Sequence, residues 1–456
     1  MSQTSKNSKK HQRPQNAIVS IAVSGFKSIG DEQNIEIRPL TLLAGANSSG
    51  KSSMMQPILL LKQTLEAQYD PGPLLLNGPN AKFTSARQFL SLINSQRNRF
   101  RFSLEVALST GTTSKVGFLM DAKTKKANLE YNIIQEGNNR IAINSSTKKT
   151  DIFDYLINRS DNAAYSKFIS QLKSTVDSDL EISRDRCFFD VAFQQKQRMN
   201  ESRTFAMRLL SPGEEVGRYI QEMIHLPGLR GNPERSYPVT AIGDRFPGTF
   251  ENYVASLLAK WGTESSGRLQ EIGKDLDHIG LTWKVEAKPI DDTQVEIRVG
   301  RLKRSKVGGA HDLVNVADVG FGVSQTLPVV VALHAARPGQ LVYIEQPEIH
   351  LHPRAQVAMG QLLANAANRG VQVVVETHSS LLLLAVQALV AEGVLDSSLV
   401  KLNWFLRDDN DGSTQIQPAD LDEAGRFGDW PEDFGFVALE AEDRYLTAAE
   451  AQMTKE

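Results

Sequence analysis

Cysteine is almost missing from this chain: Cys187 is the single thiol in 456 residues. One thiol excludes an internal disulfide and a cysteine-rich zinc site. It fits a reducing compartment, so a cytoplasmic location is expected. Long apolar runs are lacking too. The most hydrophobic stretch, residues 381–390, is interrupted by Gln387 and followed by Glu392, too short to span a bilayer, so no membrane partner is expected. No apolar segment follows the first residues, so the N-terminus is not expected to be a secretory signal. Its Lys6, Lys9, Lys10 and Arg13 read as a flexible basic tail over residues 1–16. Neither charge sign dominates: 51 basic against 53 acidic residues leave a net charge of −2. That balance gives no whole-chain argument for a nucleic-acid partner, although a local basic groove stays possible. Internal repeats are absent as well. Helical periodicity over 153–176 and 217–224 does not sustain heptads, which excludes a long coiled-coil arm.

What is present reads as a soluble globular protein, with 41% hydrophobic and 23% charged residues. The length calls for two lobes or more. Short β-branched or alternating runs over 17–23 and 33–37 predict strands, and residues 40–44 a compact apolar strand. Residues 51–68 predict a helix with Met54, Ile58, Leu61 and Leu65 on one face, and Pro57 in its second turn as a point of adjustment. Residues 99–143 read as a series of antiparallel strands. Residues 226–238, rich in proline and glycine, read as a loop; 250–261 and 269–279 read as helices; 282–299 holds two strands. Further on, residues 320–325 read as a small-residue loop before a helix over 326–336. Residues 340–344 and 371–375 are buried-type strands. Strands alternating with helices imply a parallel sheet with loops at the strand ends, where phosphates bind.

Gly45-Ala46-Asn47-Ser48-Ser49-Gly50-Lys51-Ser52 fits G-x-x-x-x-G-K-[ST] in full, with an apolar strand before it and a helix after it. Glycines let backbone N–H groups turn toward phosphate oxygens, and the helix N-terminus adds positive potential. Lys51 would neutralise β- and γ-oxygens, and the Ser52 hydroxyl would ligate Mg²⁺. This motif alone leaves ATPases and GTPases open. Three later segments bear on the choice. The strand 340–344 ends in Glu345, an acid placed to reach the metal, directly or through a bound water. His378 follows the strand 371–375, where it can sense a γ-phosphate; taken alone, a Thr-His-Ser turn also fits a structural role. Residues 319–325 combine small residues with the Ser324 hydroxyl ahead of a helix, which suits an anion and equally suits a simple helix cap.

Together, "GANSSGKSS", "VGFGVSQTLPVVV", "LVYIEQPEIHLHPRAQ" and "VVVETHSSLLL" resemble the AAA15/AAA21, or OLD-like, branch of ABC ATPases, relatives of SMC and Rad50 heads. The final "DGSTQIQPADLDEAGRFGDWPEDF", and "GLRGNPERSYP" before it, are similar to bacterial ATPases with a DUF3696 domain. The resemblance implies an α/β fold: a P-loop ABC/SMC-type ATPase head split in sequence, with an inserted α+β lobe and no long coiled coil. On this basis residues 1–16 are a tail, 17–98 an N-terminal ATPase lobe, and 99–310 the inserted region. Residues 311–405 are the C-terminal ATPase lobe, and 406–456 a hairpin and tail. The resemblance implies ATP and Mg²⁺ as cofactors. Gly45, Asn47, Ser49, Gly50, Lys51, Ser52 and Ser53 would hold the nucleotide, with Ser52 and Glu345 on the metal. Gly322, Ser324 and Gln325 would form a signature segment reaching the ATP of a second copy, and His378 would be the switch histidine. Such heads dimerise around ATP, and hydrolysis loosens the pair.

Two departures stand out. The position after Glu345, where most ABC heads carry a catalytic Glu, holds Gln346. An amide can orient water yet cannot accept a proton, so slow turnover is expected, with Glu348 as the substitute acid. No Q-loop is evident, Gln88 being the one candidate. The His350-x-His352 pair beside Glu348 invites a zinc reading, but further ligands are not evident and a structural or dimer-contact role is expected. Asp408 to Gly412 fails the calcium-loop spacing and reads as a hairpin tip between "KLNWFL" and "STQIQP". The expected function is therefore an ATP-driven switch controlling a separate nuclease or TOPRIM-type effector, by analogy with two-component anti-phage systems such as PARIS and Septu. A DNA-maintenance ATPase of the Rad50/RecF type and a nucleotide-gated scaffold with little turnover are the alternatives.

Overall fold

The computed structural model describes residues 16–93, 100–121, 126–159, 162–175, 180–195, 205–264, 267–301, 312–428 and 437–453. The expected tail, Asn16 apart, lies outside them. A six-stranded sheet organises the chain. Its spatial order is Ile224–Leu226, Leu341–Glu345, Gln372–Thr377, Leu40–Gly45, Val400–Arg407 and Thr414–Ala419. The first five strands run parallel and the last is antiparallel. The parallel strands are buried along nearly their whole length, which is why they read as unbroken apolar runs.

Strand alternation divides their side chains between two cores. Leu40, Leu42, Val342, Ile344, Val373 and Val375 pack with the helices Val254–Thr263, Arg268–Ile279, Phe321–Ala335, Pro353–Asn368 and Ser380–Ala391. Leu43, Leu341, Tyr343 and Val374 pack with the helices Lys51–Glu66 and Pro212–Glu222. The carboxyl ends of all five parallel strands therefore open on one edge, where α/β proteins bind ligands. The strand Gln372–Thr377 is interposed between the P-loop strand and Leu341–Glu345, with Glu376 opposite both Glu345 and Leu43.

A second, antiparallel sheet has the order Gln33–Glu36, Ile18–Ser24, Arg101–Leu108, Thr112–Met120, Ala127–Glu136 and Asn139–Ile143. The series of strands expected over 99–143 is there, and it pairs with Ile18–Ser24, so this sheet runs across the division drawn between residues 98 and 99. A peripheral core joins the helices Lys149–Arg159 and Ala163–Thr175 to the small sheet Leu180–Asp185, Phe188–Gln195 and Phe205–Leu210.

Two local expectations change. The helix read over 217–224 starts earlier, with Pro212 at its first turn, and stops at Glu222, because Met223 turns extended and Ile224 opens an edge strand. Residues 321–325 are not a loop: extended Gly320 caps a helix whose first turn they form. Pro57 lies within a helix that continues from Lys51 to Glu66. Among the described residues no helix is long and apolar enough to cross a membrane, and the longest described helix, Val437–Met453, has 17 residues. The hairpin expected around residues 408–412 is formed by Val400–Arg407 and Thr414–Ala419.

Candidate nucleotide site

The loop after Leu40–Gly45 is shaped by left-handed backbone at Gly45 (φ +150°), Ser48 (+62°) and Gly50 (+102°). Glycine at position 50 is also a steric demand: a Cβ there would stand 2.1 Å from Thr414 Oγ1. Thr414 donates its hydroxyl to the Ser49 carbonyl (2.9 Å), so the C-terminal hairpin braces the loop. Asn47 is exposed on the loop, while Ser49 and Ser53 are buried. The Lys51 ammonium curls back onto the carbonyls of Gly45 (2.9 Å) and Ala46 (2.7 Å). Burial lowers its pKa to about 8, with Glu376 and Glu348 pulling the other way.

Acids converge beneath the loop. Ser52 Oγ lies 2.9 Å from each oxygen of Glu376, and buried Tyr343 donates its hydroxyl to Glu376 Oε2 (2.9 Å). Burial, then the charge of Glu345, raises the Glu376 pKa against the pull of Ser52, Tyr343 and Lys51. Glu345 accepts from His225 Nε2 (3.1 Å) and from the Gly228 N–H (3.1 Å). Burial alone would raise its pKa, but His225, Gly228 and Arg230 together hold it low. Gln346 adopts a left-handed φ of +45° and donates its N–H to the Glu376 carbonyl (2.8 Å), a strained backbone of the kind that gathers at functional sites.

Glu348 is buried, and its Oε1 accepts from Thr377 Oγ1 (2.7 Å) and the His378 N–H (2.8 Å). Among the described residues its Oε2 has no hydrogen-bond partner. Burial and the Lys51 charge lower the His378 pKa, partly offset by a hydrogen bond to the Gly45 backbone. The ring is thereby tied to the P-loop strand. Gly45, Lys51, Ser52, Glu348, Glu376 and His378 form one connected group.

The signature segment is placed differently. Ser324 donates its hydroxyl to the Phe321 carbonyl (3.1 Å) in the first turn of Phe321–Ala335, and Phe321 is 52% exposed. Gly322 packs near Leu281 and the His350 carbonyl. Ser324 lines a cavity of about 470 Å³ with Arg230, Tyr237 and Glu251. Gln325 is buried: its oxygen accepts from the Arg230 N–H (3.3 Å) and its amide donates to the Gly231 carbonyl (2.8 Å). That side chain secures the 230–231 turn. Arg230 ties the two regions together, donating to the carbonyls of Gln325 (3.1 Å) and Glu345 (2.6 Å). Gln88 is exposed and closes its own turn by accepting from the Thr84 N–H (2.7 Å). His352 caps the helix Pro353–Asn368, and the His350 ring leans on Phe321.

Sequence reasoning passed over Glu376, His225, Arg230 and Lys27. Lys27, at φ +51°, bonds Gln56 on the P-loop helix (2.5 Å) and feels the charge of Glu345. Glu376 was the legible one: two strands ending in acids, paired in parallel, put both carboxylates on one face.

The fold and this cluster define a P-loop protein of mixed α/β architecture. The chain belongs to the AAA_21 family, described as "AAA domain, putative AbiEii toxin, Type IV TA system", whose model matches residues 40–385. Membership in a family of AAA domains supports a P-loop ATPase. Solved structures similar to the chain include an SMC head bound to the C-winged helix domain of ScpA, at 11% identity and a TM-score of 0.47, covering 90% of this chain and 99% of that one. They also include the SMC head domain from Thermotoga maritima, at 10% identity and a TM-score of 0.40, covering 88% and 98%. A third is an Smc head with an extended coiled coil bound to the C-terminal domain of ScpA, from Pyrococcus furiosus, at 11% identity and a TM-score of 0.44, covering 90% and 98%. No curated protein matches.

Proposed function

We propose that the chain binds Mg²⁺·ATP in the Gly45–Ser52 loop, hydrolyses it slowly, and pairs with a second copy around the nucleotide to control a separate effector in anti-phage defence. The observation that carries this is the convergence of Lys51, Ser52, Glu348, Glu376 and His378 at the carboxyl end of the P-loop strand. The residues fit the group: a left-handed loop with a lysine suits a polyphosphate, and a hydroxyl beside carboxylates suits a hard cation. Bound Mg²⁺ would offset the charge on the phosphates.

The chain's own groups divide the remaining work. Backbone N–H groups of the loop and the Lys51 ammonium bind the phosphates. Gln346 orients water without taking its proton. Glu348, with one oxygen already committed to the Thr377–His378 turn and the other without a partner among the described residues, is the carboxylate available to accept it. Pairing is supported by the Phe321–Ala335 helix, which has no acid in its first turn and an exposed Phe321. Its N-terminus suits the phosphates of another copy. The family's description as a putative toxin accords with a role in bacterial conflict. Equilibrium binding of ATP, phosphate release, and ATP-dependent change in molecular mass, each against Lys51→Ala, test the reading. Absence of nucleotide binding by the unsubstituted chain with magnesium would end it.

A further inference from the structure

We propose that Glu376 is the carboxylate that anchors the divalent cation beside Ser52, while Glu345 serves to hold the 225–230 segment. This rests on the Mg²⁺·ATP reading above. The strand carrying Glu376 is directly paired with the P-loop strand, whereas Glu345 sits one strand further away, about 10 Å from the P-loop strand at ordinary strand spacing. Both oxygens of Glu376 already lie 2.9 Å from Ser52 Oγ. Tyr343, fully buried, fixes one of them from the side.

Glu376 is only 4% exposed, and among the described residues no cation stands within ion-pair distance of it. A buried carboxylate so placed either holds a proton or coordinates a metal, and a cation arriving beside Ser52 would displace that proton. Glu345, by contrast, has each oxygen engaged, one by His225 and one by the Gly228 N–H. Ligating a metal from that position would loosen the turn that carries Arg230. His225 also stacks on Tyr343, with ring centroids 5.5 Å apart, so the two acids are held by adjoining but separate supports. A chain with Gln346 at the usual catalytic position thus gains a second acid from the neighbouring strand.

The test is a Mn²⁺ titration followed by electron paramagnetic resonance, on the full chain holding the non-hydrolysable analogue adenylyl imidodiphosphate. Nucleotide binding in EDTA is measured alongside. Glu376→Gln is expected to weaken Mn²⁺ at least tenfold while metal-free nucleotide binding stays within twofold; Glu345→Gln is expected to weaken Mn²⁺ less than threefold. Retained Mn²⁺ affinity in Glu376→Gln overturns the proposal, and so does a loss in Glu345→Gln as large as in Glu376→Gln. Should Glu376→Gln fail to fold, Glu376→Asp takes its place: with the charge kept but withdrawn by one methylene, it is expected to weaken Mn²⁺ more than Glu345→Gln does, and the reverse order overturns the proposal. An unsubstituted chain that binds no nucleotide sinks the ATP reading and this one with it. One that binds nucleotide and Mn²⁺ through Glu345 sinks only this one.

Discussion

Replacing Arg230 by methionine removes the clamp between the Leu341–Glu345 strand end and the Phe321–Ala335 helix. Arg230 is 6% exposed, and its guanidinium donates to the carbonyls of Gln325 at 3.1 Å and Glu345 at 2.6 Å, with a longer approach to Gln346 at 3.4 Å. A hydrogen bond from a charged donor contributes about 1.5–3 kcal/mol, so two sound bonds represent about 3–6 kcal/mol. Opposing this, burial lowers the Arg230 pKa from 12.5 to about 10, equivalent to about 3 kcal/mol against the cation at that place. The difference leaves a net loss of about 0–3 kcal/mol, because methionine fills similar volume without a buried charge. Chemical denaturation measures it. The functional effect is expected to be larger than the stability effect, since Arg230 sets the position of the signature helix relative to Glu345. Phosphate release should fall at least tenfold at an ATP concentration that still saturates the chain. An Arg230→Met chain with turnover within twofold of the unsubstituted one, measured while folded, would refute the clamp. A stability loss beyond about 5 kcal/mol would refute the arithmetic.

Other outcomes follow from the same geometry. Glu348→Gln keeps an oxygen for the Thr377–His378 turn but loses its basicity, so turnover is expected to drop at least tenfold with nucleotide affinity little changed; unchanged turnover removes Glu348 from the chemistry. Cys187 is fully buried and its thiol pKa is pushed well up by that burial, so a thiol reagent at pH 8 should react only after denaturant is added; rapid labelling of the native chain would contradict the packing. Gly273→Ala favours helix by about 1 kcal/mol in isolation, yet its Cβ would lie 2.6 Å from the Trp283 carbonyl. The net result should be a loss of about 1–3 kcal/mol, read as a lower thermal midpoint; a raised midpoint would show that the backbone there yields easily.

How far the sequence could be read depended on whether the chemistry was local. The loop from Gly45 to Ser52 was legible because its function needs fixed residue types at consecutive positions, between an apolar strand and a helix. The parallel strands were legible because burial on both faces forces unbroken apolar runs. The hairpin around residues 408–412 followed from its polar tip. Less was visible where one residue's meaning depends on a distant neighbour. Glycine at position 50 looked like a loop requirement, but Thr414 also demands it. The stretch 321–325 looked like a loop because small residues are poor helix markers, and extended Gly320 with tertiary packing of Val323 and Gln325 overrode that tendency.

Sequence alone therefore determined that a loop of the G-x-x-x-x-G-K-[ST] pattern stands between an apolar strand and a helix, and that acids and a histidine follow on later strands. Only the folded chain decided which acid meets Ser52. Strand order, set by burial of Val373 to Val375 between two helical layers, inserts Glu376 next to the P-loop and moves Glu345 outward to His225. Spacing along a chain carries no information about which strands become neighbours across a sheet, and that neighbourhood is what selects one carboxylate over the other.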